Sequence, residues 1–353
     1  MQAFSYDANP ARIVFGAGSL ARLPQELQRL GLQRALVLST PGQSALAARC
    51  TELLGAQAAG VFAQAAMHVP VDVARAACSE AQRLVADSVV AIGGGSTTGL
   101  GKAIALELGL PVIAVPTTYA GSEVSPIWGL TEGGLKRTGR SPKVLPRAVI
   151  YDPELSLTLP LATTVTSAIN AIAHAAEGLY APDGNPIVAL MAEEGLRASA
   201  AALPALQRNP RDVHARGDAL YGAWLCGTVL GSVTMGLHHK LCHTLGGSFN
   251  LPHAETHTVL LPHALAYNAA AAPAAMARIA RALQADEAPL ALQRLACTHG
   301  APTSLAAIGM KAGDLDRAAE LATHTPYPNP RPLERAALRA LLQRAFDGAE
   351  PQA

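Results

Sequence analysis

The sequence is poor in aromatic residues and in charge. Only 4% of its 353 residues are Phe, Trp or Tyr, and only 15% are Asp, Glu, Lys or Arg. Half of the chain is apolar, so the low charge points away from disorder and toward close-packed, Ala-rich helices. The formal net charge is +1 and no basic run occurs, which disfavours nucleic acid or an acidic membrane surface as a partner. No uninterrupted apolar stretch has the length of a membrane span. The N-terminal M-Q-A-F-S-Y-D-A-N-P has neither the basic start nor the apolar core of a signal peptide, so a cytoplasmic location is expected. The five cysteines (Cys50, Cys78, Cys226, Cys242, Cys297) are scattered and form no C-x-x-C pair. They read as reduced, mostly buried thiols. Cys242 lies among histidines and is the one that could also be a ligand.

The length suffices for two domains of ordinary size. The first part alternates short apolar runs with helical patterns, which is the signature of βα units. Strands are expected at R-A-L-V-L-S-T (34–40), S-V-V-A-I-G-G-G-S (88–96), L-P-V-I-A-V-P-T-T (110–118) and A-V-I-Y-D-P (148–153). Their apolar runs are continuous rather than alternating, so both faces should be buried. From about Leu155 the chain becomes Ala/Leu-rich with helical periodicity and few convincing strands. The expected organisation is a Rossmann-like α/β domain over 1–154 and an all-helical domain over 155–353.

The run at 88–92 leads into Gly93-Gly94-Gly95-Ser96-Thr97-Thr98-Gly99 and then a helical pattern. A glycine turn between a buried strand and a helix lets backbone N–H groups approach an anion, and the helix N-terminus adds partial positive charge. These are the physical requirements of a pyrophosphate site. The spacing is neither G-x-G-x-x-G nor a P-loop, because Ala103 follows Gly101-Lys102 where Ser or Thr would be needed. The next strand ends in Pro116-Thr117-Thr118-Tyr119-Ala120-Gly121-Ser122. Ligands collect outside the carboxyl ends of parallel strands. Gly94, Gly95, Ser96, Thr117, Thr118, Tyr119 and Ser122 are therefore candidates for a dinucleotide, with Lys102 for its phosphates. The strand at 34–40 should end near the adenosine ribose, making Ser39 a further candidate. Ser39-Thr40-Pro41-Gly42-Gln43 holds no carboxylate and no arginine, so NADH and NADPH both stay open.

Six histidines (238, 239, 243, 253, 257, 263) lie within 26 residues, and His239 and His243 are one helical turn apart. Imidazole is both the commonest transition-metal ligand and the acid–base group of neutral pH, so the cluster reads as catalytic or metal-binding. His263 by itself reads as a core or cap residue. A second constellation is N-A-I-A-H, where Asn170 and His174 share a helix face. A carboxylate in place of Asn170 would make half of a metal site; the residue present is a neutral amide.

These features together resemble the iron-containing alcohol dehydrogenase family. The Gly93–Ser96 turn, P-T-T with G-S-E-V, V-I-Y-D-P-E-L, the spacing of His239, His243 and His253, and N-P-R-P at 329–332 all fit, in order, over almost the whole chain. Within the family the chain is most similar to the maleylacetate reductase subgroup, in A-L-V-L-S-T-P, P-T-T-Y-A-G-S-E-V, N-A-I-A-H-A-A-E and Y-P-N-P-R-P. The resemblance implies a dinucleotide-binding α/β domain, an all-helical domain, an active site in the cleft between them, and a homodimer. It places the metal ligands of the metal-dependent branch on Asn170, His174, His239 and His253, and a nicotinamide-side histidine on His243.

Loss of the carboxylate at 170 leaves the site one unit more positive and disfavours Fe²⁺. Zn²⁺ on three imidazoles stays possible. The subgroup's reaction fits that departure. Reducing the double bond of maleylacetate to 3-oxoadipate passes through an enolate, which hydrogen-bond donors can stabilise without a metal. The substrate is a small dianion, suited to a site that has lost a negative charge. His243 is the expected general acid, with His174, His239 and His253 shaping the pocket and Lys136 and Lys240 as secondary candidates for substrate carboxylates. Three other readings are a metal-dependent alcohol dehydrogenase acting on an alcohol or aldehyde, a noncatalytic dinucleotide sensor, and a phosphate-eliminating synthase. The synthase would need a complete charged ligand set.

Overall fold

The computed structural model describes residues 4, 6, 8, 11–133 and 135–352. The chain divides into two compact units: 8–159 with 211–220, and 160–210 with 221–353. The expected boundary at 154/155 therefore lies a few residues before the observed one. The helical half is also not contiguous, because 211–220 joins the α/β unit. The reason is chemical. Buried Arg216 donates to Tyr119 Oη at 3.0 Å and to the Leu159 carbonyl at 3.0 Å, both in the α/β unit.

The α/β unit is built on a six-stranded sheet. Its strands are β1 (Arg12–Phe15), β2 (Ala35–Leu38), β3 (Ala58–Phe62), β4 (Ser88–Gly93), β5 (Val112–Pro116) and β8 (Ala148–Tyr151), in the order β1-β8-β5-β4-β2-β3. All pairings are parallel. The four expected strands are β2, β4, β5 and β8, and every residue of each is buried. Alternate residues feed two apolar layers. Val37, Val90, Ile92, Val115 and Ile150 enter one, and Leu36, Leu38, Val89, Ala91 and Val112 enter the other. That two-sided burial is the physical origin of the unbroken apolar runs. The edge strands β1 and β3 are partly exposed and carry weaker patterns, so they were not foreseen. Nor was the antiparallel hairpin of β6 (Ile127–Glu132) and β7 (Leu135–Arg140). After β3 the chain returns to place β4 on the far side of β2. The reversal puts the carboxyl ends of β2 and β4 side by side at a switch point, where open α/β sheets bind ligands.

In the helical unit, every residue of the Leu161–Gly178 helix from Thr164 onward is buried, so it is a central rather than an amphipathic helix. It packs against the Pro186–Arg208 and His253–Asn268 helices, and the latter packs on Leu237–Phe249. Asn185 caps the Pro186–Arg208 helix by accepting from Ile187 N and Val188 N, each at 3.0 Å. Close helix approach depends on small residues. A Cβ at Gly222 would lie 2.3 Å from Ser199 Oγ and 2.7 Å from its backbone nitrogen. Among the described residues no single helix is long and apolar enough to cross a membrane. The cysteines are free thiols, with Cys297 exposed and the other four buried.

Candidate active site

The glycine turn sits as expected. β4 ends at Gly93, and the Gly95–Leu108 helix begins directly after Gly94. Gly93 has φ 149°, and a Cβ there would meet Thr97 Oγ1 at 2.4 Å. A Cβ on Gly94 would meet Thr118 Cγ2 at 3.0 Å, so only glycine leaves this face of the turn open beside Thr118. Gly94, Gly95, Ser96 and Thr118 are half-exposed, while Thr117 is buried and accepts from Gln43 Nε2 at 2.9 Å. Gln43, which follows β2, thereby ties the loop after β2 to the end of β5. The open turn, the helix N-terminus and the neighbouring hydroxyls fit a pyrophosphate group.

Three of the expected cofactor residues lie beneath this surface. Lys102 Nζ is buried and donates to the carbonyls of Ser122, Ser125 and Ile127 at 2.5, 2.8 and 2.8 Å. An ammonium has three protons, and all three are taken by the 122–127 loop, so Lys102 does not reach a phosphate. It shapes the loop that carries Ser122, whose half-exposed hydroxyl stands 3.2 Å from Nζ. Tyr119 is fully buried against Arg216. Ser39 is fully buried with no partner for its Oγ.

In the helical unit a turn sets the histidine geometry. The Leu237–Phe249 helix ends at Asn250, which takes the left-handed conformation at φ 55°, one that asparagine tolerates. The chain reverses through Leu251-Pro252 into the His253–Asn268 helix. His253 and His257 thereby return onto the face bearing His238, His239 and His243, and the Leu161–Gly178 helix supplies His174. Ring centroids are 5.1 Å apart for His174–His239, 6.2 Å for His239–His243 and 4.5 Å for His253–His257. His257 is the hub, 5.1 Å from His239 and 6.0 Å from His174. All four expected histidines are therefore in one cluster. His243 and His253 are half-exposed, and His174 and His239 are buried. His263 stands apart, its pKa lowered to about 4 by burial and by Arg344, as befits a core residue.

Sequence reasoning missed Glu177. It lies three residues beyond His174 and is the only Asp, Glu, Lys or Arg in the 18-residue Leu161–Gly178 helix, which was the available signal. Oε1 accepts from His238 N at 2.8 Å; Oε2 accepts from His239 N at 3.2 Å and pairs with His239 Nδ1 at 2.5 Å. Burial alone would raise this carboxyl, but the His239 hydrogen bond and the charges of His239 and His238 outweigh it and hold it at about 2. His239 Nε2 in turn lies 2.9 Å from His174 Nδ1. The N-P-R-P segment is anchored by Asn329 and Asn268, which exchange amide hydrogen bonds at 2.8 and 3.0 Å, and by the Arg331 guanidinium, 4.1 Å over the Tyr267 ring. Lys240 donates to Thr325 Oγ1 at 3.0 Å, and Lys136 lies on the β6–β7 hairpin, its pKa lowered by burial.

The family's metal can be tested against this donor set. Two imidazole nitrogens on one tetrahedral Zn²⁺ at ~2.0–2.1 Å lie about 3.3 Å apart. His174 Nδ1 and His239 Nε2 are closer, at the distance of a direct hydrogen bond. The first position is Asn170, whose buried Oδ1 lacks a hydrogen-bond partner and carries no charge to balance a dication. A different trio, His238, Cys242 and His257, brings its ligand atoms within 4.8 Å of one another. In this trio His238 Nε2 and His257 Nδ1 are hydrogen-bonded to each other at 2.8 Å. In both sets imidazole nitrogens are engaged in hydrogen bonds to one another, and the first set has a neutral amide where a carboxylate would balance a dication.

Two family models match the chain: iron-containing alcohol dehydrogenase over residues 10–153, and the C-terminal part of the Fe-containing alcohol dehydrogenase family over 164–346. The chain is 64% identical over 351 residues to a maleylacetate reductase of Burkholderia cepacia, covering 99% of this chain and 100% of that one. It is 56% identical over 350 residues to a maleylacetate reductase of Pseudomonas knackmussii, covering 99% of each. The crystal structure of maleylacetate reductase from Agrobacterium tumefaciens superposes with a TM-score of 0.95 at 59% identity, covering 99% of this chain and 100% of that one. The chain belongs to the iron-containing alcohol dehydrogenase family, within its maleylacetate reductase branch.

Proposed function

We propose that the protein reduces the carbon–carbon double bond of maleylacetate to give 3-oxoadipate, using NADH or NADPH. The observation that carries this reading is the end-to-end similarity to maleylacetate reductases. The site chemistry supports it. The bound dinucleotide would supply the hydride. Gly94, Gly95 and Ser96 would bind its pyrophosphate, and Thr118 and Ser122 would orient the remainder. Hydride addition β to the ketone moves the π electrons onto the ketone oxygen as an enolate. Imidazole N–H groups of the histidine cluster stabilise that oxygen. His243, half-exposed beside His239, then protonates the adjacent carbon and regains its proton from solvent. No step needs a Lewis acid. The alternative of a metal-dependent alcohol dehydrogenase is less favoured, because the donor set lacks the carboxylate and the relatives are maleylacetate reductases. By the family resemblance the enzyme is proposed to be a homodimer, which light scattering tests.

The experiment is an absorbance assay of NADH and NADPH oxidation with maleylacetate, run beside simple aldehydes. Oxidation with maleylacetate, with 3-oxoadipate as product, is expected. Turnover of aldehydes alone would overturn the reading. His243→Ala is expected to lower kcat by about 10²-fold or more; an unchanged kcat would remove His243 as the acid.

A further inference from the structure

The half-buried side chain of Gln43 spans the carboxyl ends of three adjacent strands, β2, β4 and β5. Just beyond β2, Thr40 Oγ1 donates to its Oε1 at 3.3 Å. Just beyond β5, Thr117 Oγ1 accepts from its Nε2 at 2.9 Å. Between them lies Gly93, the last residue of β4, where a Cβ would stand 2.7 Å from Gln43 Oε1. The Gly93 carbonyl accepts from Thr117 N at 3.0 Å, so the carboxamide is held against a seam that the backbone already closes. Thr117 is 2% exposed, and Gln43 is the more exposed of the pair. A carboxamide nitrogen carries two protons. Thr117 takes one, and among the described residues no other acceptor takes the second. A tie between loops accounts for the Thr40 and Thr117 contacts and leaves that second donor unused.

We infer that Gln43 is a further dinucleotide-binding residue, its second Nε2–H donating to a pyrophosphate oxygen of NADH or NADPH. The inference rests on the dinucleotide reading of the Gly94–Ser96 turn and adds a side-chain donor to the backbone donors of that turn. Thr117, expected from the sequence to touch the cofactor, then acts beneath Gln43 by holding its carboxamide. Because the pyrophosphate is a dianion, the charge at position 43 decides how well it is held. The neutral amide donates without repelling. A carboxylate of the same shape would repel the pyrophosphate, and an ammonium in its place would attract it.

The test is fluorescence titration of NADH into wild-type protein and the Gln43→Met, Gln43→Glu and Gln43→Lys variants, without maleylacetate and with ADP as a competing ligand. Gln43→Met removes the donor and is expected to raise Kd for NADH about tenfold. Gln43→Glu should raise it about 100-fold, with a similar loss for ADP, and the loss should shrink as salt is added. Gln43→Lys should bind NADH within about threefold of wild type, with a steeper salt dependence. A mere tie between loops gives a different pattern. The Thr117 hydroxyl can donate to a carboxylate at position 43, so Gln43→Glu would then bind NADH no more weakly than Gln43→Met. That result, or equal losses in Gln43→Glu and Gln43→Lys, overturns the inference. If Gln43→Glu does not fold, Gln43→Lys against Gln43→Met decides, and equal losses in those two overturn it. Wild-type protein that binds NADH but does not oxidise it with maleylacetate refutes the functional reading instead.

Discussion

Asn170 puts a neutral amide four residues before His174 on the buried Leu161–Gly178 helix. Asn170 Oδ1 is buried and has no hydrogen-bond partner, so a carboxylate at this position would be an unpaired buried charge. Such a charge recruits a cation. Asn170→Asp is therefore expected to raise affinity for Zn²⁺ or Fe²⁺ by more than about tenfold, measured as metal retained after dialysis and by calorimetry. Unchanged metal content would mean that residue 170 does not face the histidines. The choice of Asn170, His174, His239, His243 and His253 was legible in the sequence because histidine density and helical spacing survive folding as shared faces. Glu177, His238 and His257 were not singled out. Their partners are remote in sequence: Glu177 meets His239 across 62 positions, and His238 meets His257 across 19. Lys102 was misread for a related reason. A lysine after a glycine turn suggests phosphate, and nothing local reveals that the 122–127 loop folds back onto its ammonium.

At the scale of elements, the glycine turn and the loop beside it form one unit. Gly94→Ala would place a Cβ 3.0 Å from Thr118 Cγ2 on the open face of the turn. It is expected to raise KM for NADH by roughly tenfold, about 1.4 kcal/mol of binding, with little change in thermal stability. An unchanged KM would place the dinucleotide elsewhere. Lys102→Met leaves the carbonyls of Ser122, Ser125 and Ile127 without their buried donor. It should cost about 3 kcal/mol or more, read from the urea midpoint; a neutral effect would show that water reaches the loop. The core strands β2, β4, β5 and β8 were legible because burial on both faces demands unbroken apolar runs. The edges β1 and β3 and the β6–β7 hairpin carry mixed faces whose pattern blends into loop. The 211–220 segment was assigned to the helical half because its attachment depends on one buried arginine rather than on periodicity.

At the scale of the whole molecule, the buried histidine group makes stability depend on pH. Burial, then the neighbouring His239, depresses His238 from 6.5 to about 3, against a smaller opposing effect of Glu177. Between those values the unfolded chain binds a proton that the folded chain does not, so stability falls as pH drops. Glu177, depressed from 4.5 to about 2, acts in the same direction below about pH 4.5. Each group contributes a slope of about 1.4 kcal/mol per pH unit within its window. Denaturant midpoints measured from pH 7 to pH 4 should fall steadily, and His238→Asn should flatten the upper part of the curve. A flat wild-type profile would show that His238 is protonated in the folded state.

The proposed reduction relies on imidazole hydrogen bonds to the enolate and on no metal ion. The most direct measurement is NADH oxidation with maleylacetate by protein that has been exhaustively chelated, with metal content determined on the same sample. The account predicts undiminished turnover at negligible metal content. Activity that disappears on chelation and returns with Zn²⁺ or Fe²⁺ would contradict it.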